Sequence, residues 1–132
     1  MRKFATVSYN LYGNFTNYGS ALQTYALRRA ISELAPSEVE AIVLDYCPDC
    51  LRENDPLNPE KRMWDADAES RRMVELTMPA IRENYVKFDR FYHEECNLSG
   101  GSYTSSNFDD SFAAEGLDGY VCGSDTIFCI RE

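Results

Sequence analysis

The chain has 132 residues and carries 13 Lys and Arg against 22 Asp and Glu, a formal charge of −9. That surplus of carboxylates repels phosphate backbones and sets nucleic-acid binding aside. With 44% hydrophobic and 13% aromatic residues, the composition is that of one globular domain, long enough to bury roughly two thirds of the surface its unfolded chain exposes.

No apolar run approaches the ~20 residues of a membrane span, and Met1-Arg2-Lys3 leads into a strand rather than a signal-peptide core. The expectation is a cytoplasmic chain in which five cysteines, an odd number, stay reduced. On the same ground Asn14-Phe15-Thr16 and Asn97-Leu98-Ser99 read as chance glycosylation sequons.

In chain order, Phe4-Ala5-Thr6-Val7-Ser8-Tyr9 reads as a first strand running into a loop punctuated by Gly13 and Gly19. A helix follows from about Tyr18 to Leu34. Leu27, Ala30, Ile31 and Leu34 recur on one face with Ala26 beside them, and Pro36 ends it. Val39 to Tyr46 is an apolar, β-branched run of the kind buried on both faces of a parallel sheet. This completes a βαβ unit, whose right-handed crossover lays the helix on one face and gathers the loops after each strand on one edge. The free N–H groups and positive dipole end at the helix start make a place for anions or hydroxyls. Arg28 and Arg29 lie too far along the helix to serve it.

From Cys47 to Pro59, three prolines (Pro48, Pro56, Pro59) predict a loop that could form one wall of a cleft. Residues from about Asp65 to Cys96 are then helical, with a break expected at Pro79. Ile81, Tyr85, Phe88, Phe91 and Tyr92 recur at intervals of three and four, and Arg82, Glu83, Lys87, Asp89 and Arg90 take the other side. That aromatic stripe reads as core. Asn97 to Asn107, rich in Ser and Gly, reads as a loop, and a short helix near Phe108 to Glu115 precedes a last strand, Leu117 to Cys122. Its tip carries Gly123-Ser124-Asp125. The sum predicts an α/β fold, a Rossmann-like parallel sheet with flanking helices and its functional loops on the carboxyl edge. The apolar Thr126-Ile127-Phe128-Cys129-Ile130 stands two residues from the end, so the terminus is expected to be cut rather than finished.

Each motif admits a functional and a plainer reading. In Asn17-Tyr18-Gly19-Ser20-Ala21-Leu22-Gln23, the side chains of Asn17, Tyr18 and Gln23 and the amides near Gly19 and Ser20 are candidates for substrate contact. Alternatively Asn17 is an N-cap and Gly19 permits close helix-to-strand packing. Gly123, Ser124 and Asp125 could present a carboxylate that accepts a hydrogen bond from a sugar hydroxyl or acts on it as general base. Alternatively Asp125 caps a turn. Cys47-Pro48-Asp49-Cys50 has the form of a redox pair or half a zinc site, but no second CxxC exists. Redox motifs of that form begin a helix after a strand, and this one falls in a proline-interrupted loop. No metal and no cofactor are expected. No G-x-G-x-x-G or P-loop follows the first strand, which argues against a generic nucleotide site.

The residues in order resemble the polysaccharide pyruvyl transferase family. Asn17 to Gln23 is similar to that family's "NYGAxLQ", Leu44-Asp45-Tyr46 to its strand ending in "DY", and Lys87-Phe88-Asp89-Arg90-Phe91 with Leu98-Ser99 to its "KFxxF" and "LS". Val121-Cys122-Gly123-Ser124-Asp125-Thr126-Ile127-Phe128 is similar to "VGSDQxW". The resemblance implies two Rossmann-like lobes facing across a cleft, as in GT-B glycosyltransferases, of which residues 1–132 are the first, a single truncated lobe with the second lobe absent. It also implies transfer of a pyruvyl group from phosphoenolpyruvate to a sugar or glycan acceptor as a ketal. The basic residues that hold phosphoenolpyruvate, and a histidine acting as acid, are implied for the second lobe. Two positions depart from the pattern, Thr126 and Phe128 standing for Gln and Trp, and His93 matches no family motif.

Two readings of function follow. In one, the chain is the acceptor-side lobe of such an enzyme, inactive alone; in the other, it is a non-catalytic module that self-associates as a homo-oligomer through an unfinished sheet edge.

Overall fold

The computed structural model describes residues 1–8, 16–52, 55–58 and 64–123. Tyr9, Gly13, Asn14 and Phe15 of the first sequon, Pro59, Ser124, Asp125 and the run from Thr126 to Ile130 lie outside the described residues. The elements are β1 (Arg2–Val7), α1 (Tyr18–Leu34), β2 (Val39–Tyr46), α2 (Asp49–Arg52), α3 (Ala68–Glu95), β3 (Leu98–Tyr103), α4 (Asp110–Ala114) and β4 (Gly119–Cys122). Four strands make one parallel sheet in the order β3-β2-β1-β4. This is an α/β, Rossmann-like fold. The chain builds outward from β1 to β2 to β3, then crosses back to lay β4 on the other side of β1. β1 therefore lies at the switch in winding direction, and the crevice above the carboxyl ends of β1 and β4 is where such sheets bind ligands.

Alternation along the strands sorts the core into two layers. On one face Val43 packs with Ala21 of α1 and with Phe88, Tyr92 and Cys96 at the end of α3, flanked by Tyr25, Tyr85, Phe91 and Leu98. On the other face Ala5, Ile42 and Leu44 pack with Tyr103 and Leu117 beneath Phe108 and Tyr120. The aromatic stripe of α3 is therefore core, as its spacing predicts.

Four expectations need correction. The buried residues of α1 are Ala21 and Thr24, whereas Ala26 and Ala30 are exposed and Leu34 is 83% exposed. The sheet-facing side thus lies roughly a quarter turn from the face of Leu27, Ala30, Ile31 and Leu34. Small residues sit under a helix that crosses the sheet closely, and bulk is displaced to its flank. Secondly, α3 runs unbroken through Pro79. Proline removes one N–H and orphans the carbonyl of Glu75, but both residues are exposed and water can serve that oxygen. Thirdly, the loop after β2 contains the short helix α2.

Finally, the Ser- and Gly-rich Leu98–Tyr103 is a strand, paired in parallel with β2 across a register shift between Val43 and Asp45. Polar ties hold it where apolar side chains are lacking. Asp45 N–H donates to Ser99 Oγ at 2.9 Å, Ser102 Oγ donates to the Asp45 carboxylate, and Asn97 Nδ2 donates to Ala41 O at 3.2 Å. Glu115 Oε1 accepts from Gly101 N–H at 2.9 Å and from the Tyr103 hydroxyl at 2.8 Å. Burial pushes the Glu115 carboxyl upward, but the Gly101 and Tyr103 donors outweigh it and hold the group below its ordinary value.

Candidate functional site at the sheet's carboxyl edge

Asn17 is the N-cap of α1. Its backbone is extended, at φ −122 and ψ 112, and its Oδ1 accepts from Ser20 N–H at 3.0 Å. This satisfies one of the helix's free donors and commits the side chain to capping. A Cβ on Gly19 would lie 3.2 Å from that same oxygen, so a small residue belongs there. Tyr18 is 66% exposed and turned toward α3, its ring centroid 4.9 Å from that of Phe88 and its hydroxyl donating to Asn84 Oδ1 at 3.3 Å. Ser20 hydrogen-bonds the phenol of Tyr92, whose pKa burial pushes up to about 12.

Gln23 takes the other side of the helix. A Cβ placed on Gly123, just past β4, would fall 2.5 Å from Gln23 Nε2 and 2.3 Å from Leu27 Cδ2. The backbone of the β4 tip thus lies directly against the side-chain ends of α1, which any larger residue at 123 would push aside. Gly123 N–H donates to Val7 O at 3.1 Å, extending the β1–β4 pairing to the ends of both strands. Under this contact Ser8 and Thr24 join hydroxyls at 2.9 Å, with Thr24 fully buried. The two motif segments therefore meet at one point, the tips of β1 and β4 with α1 above them. Among their side chains Gln23 reaches that point, whereas Asn17, Tyr18 and Ser20 are committed to the cap and to α3. Ser124 and Asp125, which follow Gly123, lie outside the described residues.

Ser8 and Thr24 were not picked out by motif reasoning. The signal was present: Thr6 and Ser8 share one face of β1 by alternation, and Ser20 and Thr24 are one turn apart on α1. Arg28 and Arg29 are engaged elsewhere, as their positions foretold. Arg28 Nη2 donates to Glu95 O at the end of α3, at 2.9 Å, and Arg29 pairs with Glu33 and Tyr25.

Among the described residues, cavities of about 220 Å³ lie on either side of this centre. One lies between α1 and α3, lined by Tyr18, Ala21, Leu22, Asn84, Phe88 and Phe91, with Lys87 its one charged lining residue among those described. It is apolar, and Asn84 there is already bonded to Tyr18 and to Thr16. The other sits on the carboxyl edge where β2 and β3 end, lined by Asp45, Cys47, Arg52, Pro56, Ser102 and Thr104. The loop after β2 does form a wall, as its prolines suggested.

Contrary to the sequence-based placement, the CxxC segment leads from a strand into a helix, with Cys47 behind β2 and Cys50 in α2. Its chemistry still departs from a redox nucleophile. Burial raises the Cys47 thiol above its ordinary value, the opposite of an activated thiolate. Among the described residues Cys47, Cys50, Cys96 and Cys122 are free thiols, and no group of three His, Cys, Asp or Glu side chains is placed to hold a metal. No described helix is long and apolar enough to cross a membrane.

Comparison of the chain with protein-family models, with curated proteins and with solved structures returned no match.

Proposed function

We propose that the chain is the acceptor-side lobe of a polysaccharide pyruvyl transferase, holding a sugar of a glycan on its carboxyl edge while a second lobe holds phosphoenolpyruvate. The observation that supports this reading best is the seating of Gly123 on Gln23. It joins the two segments carrying the family-like motifs at the switch point of a parallel sheet. A neutral amide at a half-buried strand tip suits hydroxyls, which both donate and accept.

In the proposed reaction, two acceptor hydroxyl oxygens bond to C2 of phosphoenolpyruvate, C3 takes up one proton to become a methyl group, and the C2–O bond to phosphate breaks. The other hydroxyl proton leaves with the phosphate or a base. Such a transfer needs a base at the acceptor, an acid for C3 and cations around the leaving phosphate. Asp125, two residues past Gly123, is the candidate base; the acid and the cations belong to the other lobe. The work would take place in the cytoplasm, in exopolysaccharide biosynthesis.

The test is to incubate the purified chain with phosphoenolpyruvate and a panel of oligosaccharides. Phosphorus NMR follows phosphate release, and calorimetry follows each ligand alone. The expected outcome is glycan binding, no phosphoenolpyruvate binding and no phosphate release. Tight phosphoenolpyruvate binding without glycan binding, or ketal formation by the chain alone, would refute the assignment.

One observation favours a second reading. Among the described residues β4 pairs with β1 alone, leaving its other edge without a partner strand. Self-association there predicts a dimer in sedimentation at micromolar concentration, and a strict monomer would dismiss it.

A further inference from the structure

The cavity between the ends of β2 and β3 carries groups that the reaction above does not use. Asp45 receives Ser102 Oγ on one carboxylate oxygen, and its other oxygen has no hydrogen-bond partner among the described residues. The Arg52 side chain, exposed on α2, likewise has no hydrogen-bond partner among the described residues. Thr104 and the apolar flanks of Cys47 and Pro56 complete the lining. In the same loop Asn58 is 9% exposed, with its Oδ1 lacking any donor among the described residues. An acceptor oxygen and a five-donor guanidinium in one pocket, neither with a hydrogen-bond partner among the described residues, suit a ligand offering both hydroxyl hydrogens and oxygens.

Charge and size narrow the choice. Asp45 and Arg52 balance each other in the lining, and Asp49, whose carboxyl is held below its ordinary value chiefly by Ser106 and Thr104, stands near Arg52 outside it, so the pocket offers no surplus of positive charge. That disfavours a phosphate or carboxylate ligand on a chain already at −9. A volume of about 220 Å³ falls below the roughly 300–1,000 Å³ of drug-sized sites, which fits one ring rather than a nucleotide. The pocket also shares the carboxyl edge with the switch point. It lies between β2 and β3 and the switch point between β1 and β4, two strand spacings apart, or ~10 Å.

We propose that this cavity is a second carbohydrate subsite, which takes a neutral sugar ring of the acceptor by pairing its vicinal hydroxyls with Asp45 and Arg52. The subsite rests on the reading of the chain as an acceptor-side lobe and adds to it a preference for extended, neutral glycans. An oligosaccharide spanning both places binds more tightly than a single sugar because its second contact is intramolecular.

The test is a nitrogen–proton NMR titration of the chain with methyl glycosides of glucose, galactose and mannose and with the corresponding linear trisaccharides. At least one trisaccharide is expected to bind about tenfold more tightly than its monosaccharide. It should add shifts at residues 45–47 and 102–104 to those at 17–23 and 119–123. Arg52→Ala, an exposed change that leaves the core untouched, should return trisaccharide affinity to the monosaccharide level. Asp45→Asn, which keeps an acceptor for Ser102, should do so in part. Equal affinity for both lengths, with shifts only at 17–23 and 119–123, would overturn the subsite and leave the lobe assignment standing. Absence of shifts with every sugar would overturn both.

Discussion

The two ends of the sheet reach the same edge by different means. At the β1–β4 end, strand tips and a capped helix are drawn together by backbone contact. Gly123 lies against Gln23 and Leu27, and the polar groups beneath, Ser8 and Thr24, satisfy each other. At the β2–β3 end an edge strand of Leu, Ser, Gly and Tyr is fastened by side chains, chiefly Glu115, Asp45 and Ser99. One end is built for close approach and the other for hydrogen bonding. A site that runs along the edge would inherit a tight floor at one end and free polar groups at the other.

The largest effect should come from breaking the polar end. Glu115→Ala leaves Gly101 N–H and the Tyr103 hydroxyl without their acceptor. Bonds to a charged group are worth ~1.5–3 kcal/mol each, so a loss of about 3 kcal/mol is expected in urea denaturation. The same carboxyl sits below its ordinary 4.5 in the folded chain. Its stabilisation is therefore complete above that value and declines as pH falls through the depressed folded pKa, and the variant should lack that acid-side decline.

Alkali tests the helix-covered face that backs both ends. Burial raises the Cys96 thiol from 9.0 to about 11 and the Tyr92 phenol from 10.0 to about 12. Above the unfolded values the unfolded chain gives up these protons first, so it binds fewer than the folded chain and stability falls as pH rises. The decline should begin near pH 9 and steepen near pH 10, at about 1.4 kcal/mol per pH unit for each group. Cys96→Ala should weaken the earlier onset, to which the raised Cys47 thiol also contributes, in a pH series of thermal melts.

Legibility in the sequence divides along the same line. β1, α1, β2 and the aromatic stripe of α3 follow from periodicity, because apolar side chains placed them. β3 does not, because Leu98-Ser99-Gly100-Gly101-Ser102-Tyr103 is a strand only once Asp45, Ala41 and Glu115 are brought up by the fold. The meeting of Gln23 with Gly123 was foreshadowed by two short motifs at strand ends. Arg52 carried no such mark, and Asp45, within the family-like Leu44-Asp45-Tyr46, was not a candidate site residue, since what joins the two is a cavity that exists only after β2 and β3 pair. The α1 face was misjudged for a similar reason: the tightest packing selects small Ala21 and Thr24, which hydrophobic patterning underrates.

Smaller effects belong to the tight end. Thr24→Val keeps the shape but strands the Ser8 hydroxyl, with an expected loss of about 1 kcal/mol by chemical denaturation. Gly123→Ala collides with the far ends of two flexible side chains, Leu27 and Gln23. These can swing aside, so the stability cost should stay below about 1 kcal/mol. Acceptor binding should weaken nonetheless, because Gln23 is displaced; unchanged affinity on calorimetry would detach Gln23 from the site.

The central claim is that the α1 start and the β4 tip form a single site. Following the backbone amides of residues 17–23 and 119–123 in one oligosaccharide titration tests it most directly. The account predicts that both groups shift along the same isotherm, with one dissociation constant. Movement of one group alone, or two separate constants, would contradict it.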